Sequence, residues 1–466
     1  MSADGADLAF APIEELAPRL HAREVSPIEL ADLTLRRIEA INPRINAYYT
    51  VLADELRTDA ERAEREIARG QYRGPLHGVP ICIKDIYESG RTTCGSQTLQ
   101  HYQAATESVA VRKLRDAGAL IAGKAATFEF AYGMPSRQSP VPPVRNPWDE
   151  ERQAGGSSSG SAAAVAAGLA YAGMGSCTGG SIRWPAQCCH LVGLKPTYGR
   201  VSRRGIYPLA WSLDHAGPIT RTVRDAALML QDCAGFDEGD PASANVPVPD
   251  FTAKLDRDIR GMRIGLPVRL YEDCEPVVRE VFEEALRVFE RLGAELVTVP
   301  SISVEEMDWI EYPALWSDAA TIHFRQLRAR GGDYNPNTRQ YLQWGLLVSS
   351  GYYLTAQRCR AQVRDDLIEL LTKQVDVFVL PTNGFQSPPL IPEQPPGLSF
   401  LSGFHLYTAI FNFTGLPAVQ VPCGVDRDGL PVGLQVAAKP FDEPTLLQVA
   451  HAYEQATEWH HRHADL

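Results

Sequence analysis

Three short stretches hold the residues best suited to chemistry. In GSCTGGSIRWPA, residues 175–186, Ser181 directly follows two glycines. Glycines before a serine open backbone conformations closed to other residues, so successive N–H groups can turn toward one point. Such a concave set of amides binds negative charge. If the serine oxygen attacks a carbonyl, the oxyanion forms among those amides, and stabilising it there is a large catalytic effect. The stretch therefore reads as a nucleophile beside its own oxyanion hole, although taken alone it also fits an ordinary glycine turn. In either case it is expected to be too rich in glycine for a regular element.

Lys84 ends the apolar run of GVPICIKDIYESG. A lysine at the edge of a core is usually paired or snorkelling, here with Asp85 as the nearest partner. A desolvated lysine instead loses its proton near neutral pH and can act as a base. The third stretch, GSSSG at 156–160, matches the G-x-S-x-G elbow of α/β-hydrolases with Ser158 as nucleophile, but an elbow needs a strand just before it and a Pro-rich loop stands there. It also fits a serine loop capping the small, apolar SAAAVAAGLA, which reads as a buried helix with its N-terminus toward the serines. Cys188-Cys189-His190 lacks a ligand cluster and reads as buried small residues, so no metal site is expected. His460, His461 and His463 are expected on a solvated tail.

Strand-like runs bounded by glycine, HGVPICIKD and GALIAGKA, flank the amphipathic SVAVRKLRDAG, which points to an α/β layered fold. RIGLP (263–267), VDVFVLP (375–381) and AVQVPCG (418–424) are further strand candidates. Residues 139–161 read as a long Pro/Gly/Ser loop and 235–260 as a polar surface connection. Ser26-Pro27 supplies an N-cap and a first-turn proline for the helix that follows. The expected organisation is a helical lead-in over 1–70 packed on one large domain over 71–466, with an aromatic-rich helical region at about 300–375.

Composition narrows the class. Of 466 residues, 44% are hydrophobic and 22% charged, the ordinary globular range. A net charge of −12 disfavours a nucleic-acid or anionic-membrane surface. Nine cysteines without C-x-x-C spacing argue against a disulfide framework. With no secretory signal and no run of about 18 apolar residues, a cytoplasmic protein with no membrane partner is expected.

Taken together, GVPICIKD with Lys84, GGSSSGSAAAVAAG with Ser157, TGGSIRWPA with Ser181 and the following LVGLKPTYGRVSRRG resemble the amidase signature family. The likeness runs from INAYYT at 45–50 through GKAATFEFAYG and VRNPWD to FNFTGLPAVQVPCG and GLPVGLQVAAKPFDEPTLLQVA. It implies a three-layer α/β/α fold around a mixed, largely parallel twisted sheet. It also implies a Ser-cisSer-Lys triad, in which Ser181 attacks the amide, Ser157 passes the proton and neutral Lys84 receives it, then returns it to the leaving amine. Backbone amides of Thr178, Gly179, Gly180 and Ser181 would hold the oxyanion. Ser158, Cys177 and Arg183 would support these loops, and Trp184, Tyr132 and His405 would meet the substrate. The mechanism calls for no cofactor, and its partner is a small-molecule amide; a homodimer is compatible with it.

Two positions depart from the family pattern. Cys177 stands where Asp is usual, and Ser159 replaces the glycine of GGSSGGS. Among relatives, the A-type chain of the glutamine-dependent tRNA amidotransferase carries an acidic residue where this chain aligns His405, which argues for a free-standing amidase. VSRRGIYPLAWSLDHAGP is similar to hydrolases of small ureido acids such as carboxybiuret. An arylamide is equally open, because Trp309, Tyr312, Trp316, Tyr334, Tyr341 and Trp344 would suit an apolar pocket unless they are core residues. A catalytically silent binding protein on the same fold is the remaining reading.

Overall fold

The structure, a computed structural model, describes residues 8–139, 141–267, 272, 274–300, 304–391 and 407–466. The runs PICIK and LIAGKA form β2 (Pro80–Lys84) and β3 (Leu120–Ala125), a parallel pair connected through the helix Val109–Asp116. Every residue of both strands is buried. Alternation explains why: Ile81 and Ile83 belong to one apolar cluster and Cys82 to another, so each face of the sheet is covered. The helices Ala53–Ala68 and Ser159–Ala166 contribute to the cluster around Cys82, and Val109–Asp116 and Val223–Cys233 to the one around Ile81.

The sheet has eleven strands among the described residues. From edge to edge they run β1 (Tyr48–Val51), β3, β2, β6 (Ala172–Cys177), β8 (His215–Thr220), β7 (Val192–Lys195), β12 (Ala418–Val425), β13 (Pro431–Ala437), β11 (Val377–Pro381), β9 (Arg263–Pro267) and β10 (Glu295–Val299). The α/β architecture and mixed sheet are as expected, but parallel pairing is less extensive than expected. It is confined to β3–β2–β6 and β11–β9–β10, and every other ladder of this sheet is antiparallel. The short turn between β12 and β13 permits only antiparallel pairing there.

Local differences have physical causes. The Pro-rich loop contains a polar hairpin, β4 (Arg145–Asn146) with β5 (Asp149–Gln153), which lacks an apolar alternation because it stands apart from the main sheet. Glycine-rich AGMGSC is a regular strand, β6, correcting the expectation for residues 175–177. Burial and close approach explain the glycines: a Cβ on Gly175 would lie 2.9 Å from Ser158 Oγ. The connection at 235–260 is anchored by Phe251, Leu255 and Ile259, each 1% exposed or less, rather than lying wholly on the surface. At the C-terminal end, His463 stacks on Phe10 with ring centroids 4.1 Å apart. Ser26 caps the helix Pro27–Ile45 by accepting from Ile28 N–H.

Candidate active site

The C-terminal ends of the adjacent parallel strands β2 and β6 place the first two functional groups side by side. Lys84 is the last residue of β2, and Ser176 is the penultimate residue of β6. Fully buried, the Lys84 ammonium donates to Ser157 Oγ at 2.7 Å and to Ser176 Oγ at 2.9 Å. Asp85 is not its partner; that carboxylate lies 3.6 Å from Lys124 and accepts from Thr93 N–H. Desolvation pulls the Lys84 pKa from 10.5 down to about 7, against weaker opposing pulls from Cys177 and Asp214. A neutral amine is thus accessible at physiological pH.

Ser157 precedes the helix Ser159–Ala166, and the Gly156–Ser157 peptide is cis. Ser158 N–H donates to Ser181 O at 3.3 Å, so the two serine loops meet directly. The amides of Gly179, Gly180 and Ser181 make no hydrogen bond within the described chain, and these residues line a narrow cavity of about 70 Å³ together with Ser157. Gly180 has φ +152°, and a Cβ there would sit 2.2 Å from Thr408 Oγ1. Thr408 Oγ1 in turn donates to Gly179 O at 2.6 Å, fixing the turn. Unoccupied amides next to a serine hydroxyl are suited to receiving an oxyanion.

The supporting residues sit beneath this loop. Ser158 is fully buried and exchanges hydrogen bonds with the backbone of Ser176 at 3.2 and 3.3 Å, which removes it from the pocket and with it the elbow reading. Arg183 is also fully buried. It donates to Gln435 Oε1 at 2.8 Å and Thr408 O at 2.9 Å, and its Nη2 lies 3.7 Å from Cys177 Sγ. Burial pushes the Cys177 thiol up, but Arg183 and Lys195 prevail and hold its pKa below the ordinary value. Thr178 donates to Asp214 at 2.6 Å, beginning the loop at a fixed point.

Aromatic side chains enclose the rest of the pocket. Trp184 and Phe128 meet edge to face at 6.3 Å on one side. Tyr132 packs at 5.6 Å from Tyr341, with Tyr312 and Trp316 beyond. No described Asp, Glu, Lys or Arg lines this cavity. Tyr334 and Trp344 are not lining residues: Tyr334 packs on Phe130 at 5.5 Å and Trp344 on Trp316 at 5.4 Å. His405 and the side chain of Trp309 lie outside the described residues. The three cysteine-histidine residues 188–190 are buried, and the described residues contain no cluster of metal-ligating side chains.

Sequence reasoning missed Ser176, Thr408, Gln435 and Asn412, whose Nδ2 donates to Cys177 O at 2.8 Å. Ser176 was legible in principle, because alternate positions of a strand share a face and a buried serine beside a buried lysine needs a partner. The other three lie more than 220 residues from the loop they brace, and no local pattern marks such contacts.

A family model described as Amidase matches residues 29–447. The chain belongs to the Amidase family. Two curated relatives are each 40% identical. One is the A-type chain of the glutamyl-tRNA(Gln) amidotransferase of Geobacter metallireducens, aligned over 97% of this chain and 99% of the relative. The other is an amidase of Pseudomonas putida, aligned over 97% of each. The native peptide amidase of Stenotrophomonas maltophilia superposes with a TM-score of 0.82 at 32% identity, covering 96% of this chain and 97% of that one. This family membership identifies the chain as an amide-hydrolysing enzyme.

Proposed function

We propose that this amidase cleaves small uncharged amides through an acyl-enzyme on Ser181. Ser181 attacks the carbonyl while Ser157 takes its proton and passes one to neutral Lys84. The oxyanion accepts hydrogen bonds from the amides along 178–181. The proton then returns through Ser157 to the leaving amine, and water, activated by the same relay, releases the acid. The single observation that carries this reading is the buried Lys84–Ser157 hydrogen bond of 2.7 Å opening onto the Ser181 loop.

Substrate charge follows from the lining. An aromatic slot without a described charged side chain offers no counter-ion, and burying an unpaired carboxylate costs several kcal/mol. Neutral aryl or aliphatic amides should therefore exceed glutamine and ureido acids in kcat/KM by about 100-fold or more. Amine or ammonia release from a matched panel tests this, and preferential turnover of the charged amides would overturn it.

The alternative function, the A-type chain of a glutamine-dependent tRNA amidotransferase, is supported by the full-length likeness to the Geobacter protein. It expects glutamine to be the best amide and ammonia transfer to depend on partner proteins and charged tRNA. Inertness toward every amide, with glutamine included, would favour the silent binding protein instead.

A further inference from the structure

A second cavity of about 560 Å³ adjoins the serine pocket, and Ala131, Thr178 and Leu209 line both. Its size is that of a small-molecule site, and its chemistry differs from the aromatic slot. Two arginines reach it, but each already has a carboxylate: Arg203 lies 3.2 Å from Asp240 and Arg204 lies 2.9 Å from Asp237. Asp214 has no cation so close. It accepts from Thr178 Oγ1 and from the amides of Leu209 and Ala210, and Arg203 attracts it only from beyond ion-pair distance.

Two further groups in the same cavity are only partly engaged. His215 is 3% exposed; its Nδ1 donates to Leu213 O at 2.6 Å, which leaves Nε2 as a buried acceptor without a hydrogen bond. Trp211 is 50% exposed, and its ring makes no aromatic or cation contact among the described residues. A carboxylate without a close cation, an unfilled acceptor and an open aromatic face all call for one kind of ligand, a nitrogen cation with N–H donors.

We propose that this cavity is a second binding site for a protonated primary amine with an aromatic or aliphatic body. The ammonium group donates to Asp214 and His215 Nε2, and the body packs on Trp211. Because Asp214 also holds Thr178 at 2.6 Å, occupancy reaches the loop that carries Ser181. That coupling rests on the role proposed for Ser181, whereas the binding itself does not.

The test separates the two. Ser181 is first blocked with phenylmethylsulfonyl fluoride, the adduct is located by mass spectrometry, and the blocked protein is titrated with benzylamine by calorimetry. One equivalent is expected to bind, with affinity at least tenfold weaker in Asp214→Asn and in Trp211→Ala, and benzyl alcohol is expected not to bind. No binding to the blocked protein, or equal affinity in both variants, overturns the proposal. Trp211→Ala changes a surface position and keeps the test valid if Asp214→Asn fails to fold. If no adduct forms at Ser181, the proposed function fails on its own, and Ser181→Ala replaces the blocked protein in the titration. Amine released by the enzyme and amine from elsewhere share this chemistry; a progress curve that slows as an N-benzylamide substrate releases benzylamine identifies the first source, and one that stays linear the second.

Discussion

Lys84 is the residue on which the proposed chemistry turns. Its ammonium has two serine hydroxyls and no described carboxylate as hydrogen-bond partners, so burial is free to lower its pKa to about 7. The relay uses the neutral amine, so kcat/KM should rise with pH through about 7 and level off above it. A pH profile of an uncharged substrate checks this; a rate already flat from pH 5 upward would remove the lysine from the relay. Lys84→Ala should reduce kcat by about 1,000-fold or more while circular dichroism stays unchanged, in line with loss of a proton-transfer group from a unit that acts together. Cys177→Ala, by contrast, should keep substantial hydrolysis, because the thiol touches Arg183 rather than the pocket. Complete loss of turnover in a folded Cys177→Ala protein would point to a thiol mechanism instead. The motif residues were legible because each lies in a short stretch whose types already imply chemistry. The braces were not, since Thr408 and Asn412 act on a loop to which only the folded chain brings them.

Among the elements, strands made of apolar runs between glycines were readable because complete burial on both sheet faces leaves an uninterrupted apolar signal. β6 was hidden by its glycines, which serve close packing against Ser158 and Cys82 rather than a turn. β4–β5 was hidden by polarity. These elements matter to function because β2 and β6 set the spacing of Lys84 and Ser176, while the Arg183 network ties the serine loop to the Thr408 segment. Arg183→Met removes hydrogen bonds from a fully buried guanidinium, each worth about 1.5–3 kcal/mol when one partner is charged. The expected outcome is a lower melting temperature together with a larger fall in kcat than in KM. A variant with native stability and kinetics would show that the loop holds itself.

At the scale of the whole molecule, the N-terminal helix Ile13–His21 is fastened to the helix Val223–Cys233 through Asp225, whose buried carboxyl accepts from the amides of Ile13 and Glu14. Desolvation raises its pKa from 3.8 to about 7 despite those bonds. The folded state therefore retains a proton that the unfolded chain releases above about pH 4, so this contribution to stability is full below that pH and is lost as pH rises through about 7. Asp225→Asn should flatten that part of the stability–pH curve, measured by urea unfolding from pH 4 to 8; an unchanged slope would assign it to other groups. Among the described residues, no helix is long and apolar enough to cross a membrane. The central claim, that Ser181 is the activated nucleophile of this amidase, is tested most directly by reaction with a serine-directed fluorophosphonate and peptide mass spectrometry. A single adduct on Ser181, absent in Lys84→Ala, is the expected result. An adduct on Ser158 or Cys177, or equal labelling of Ser181 without the lysine, would contradict it.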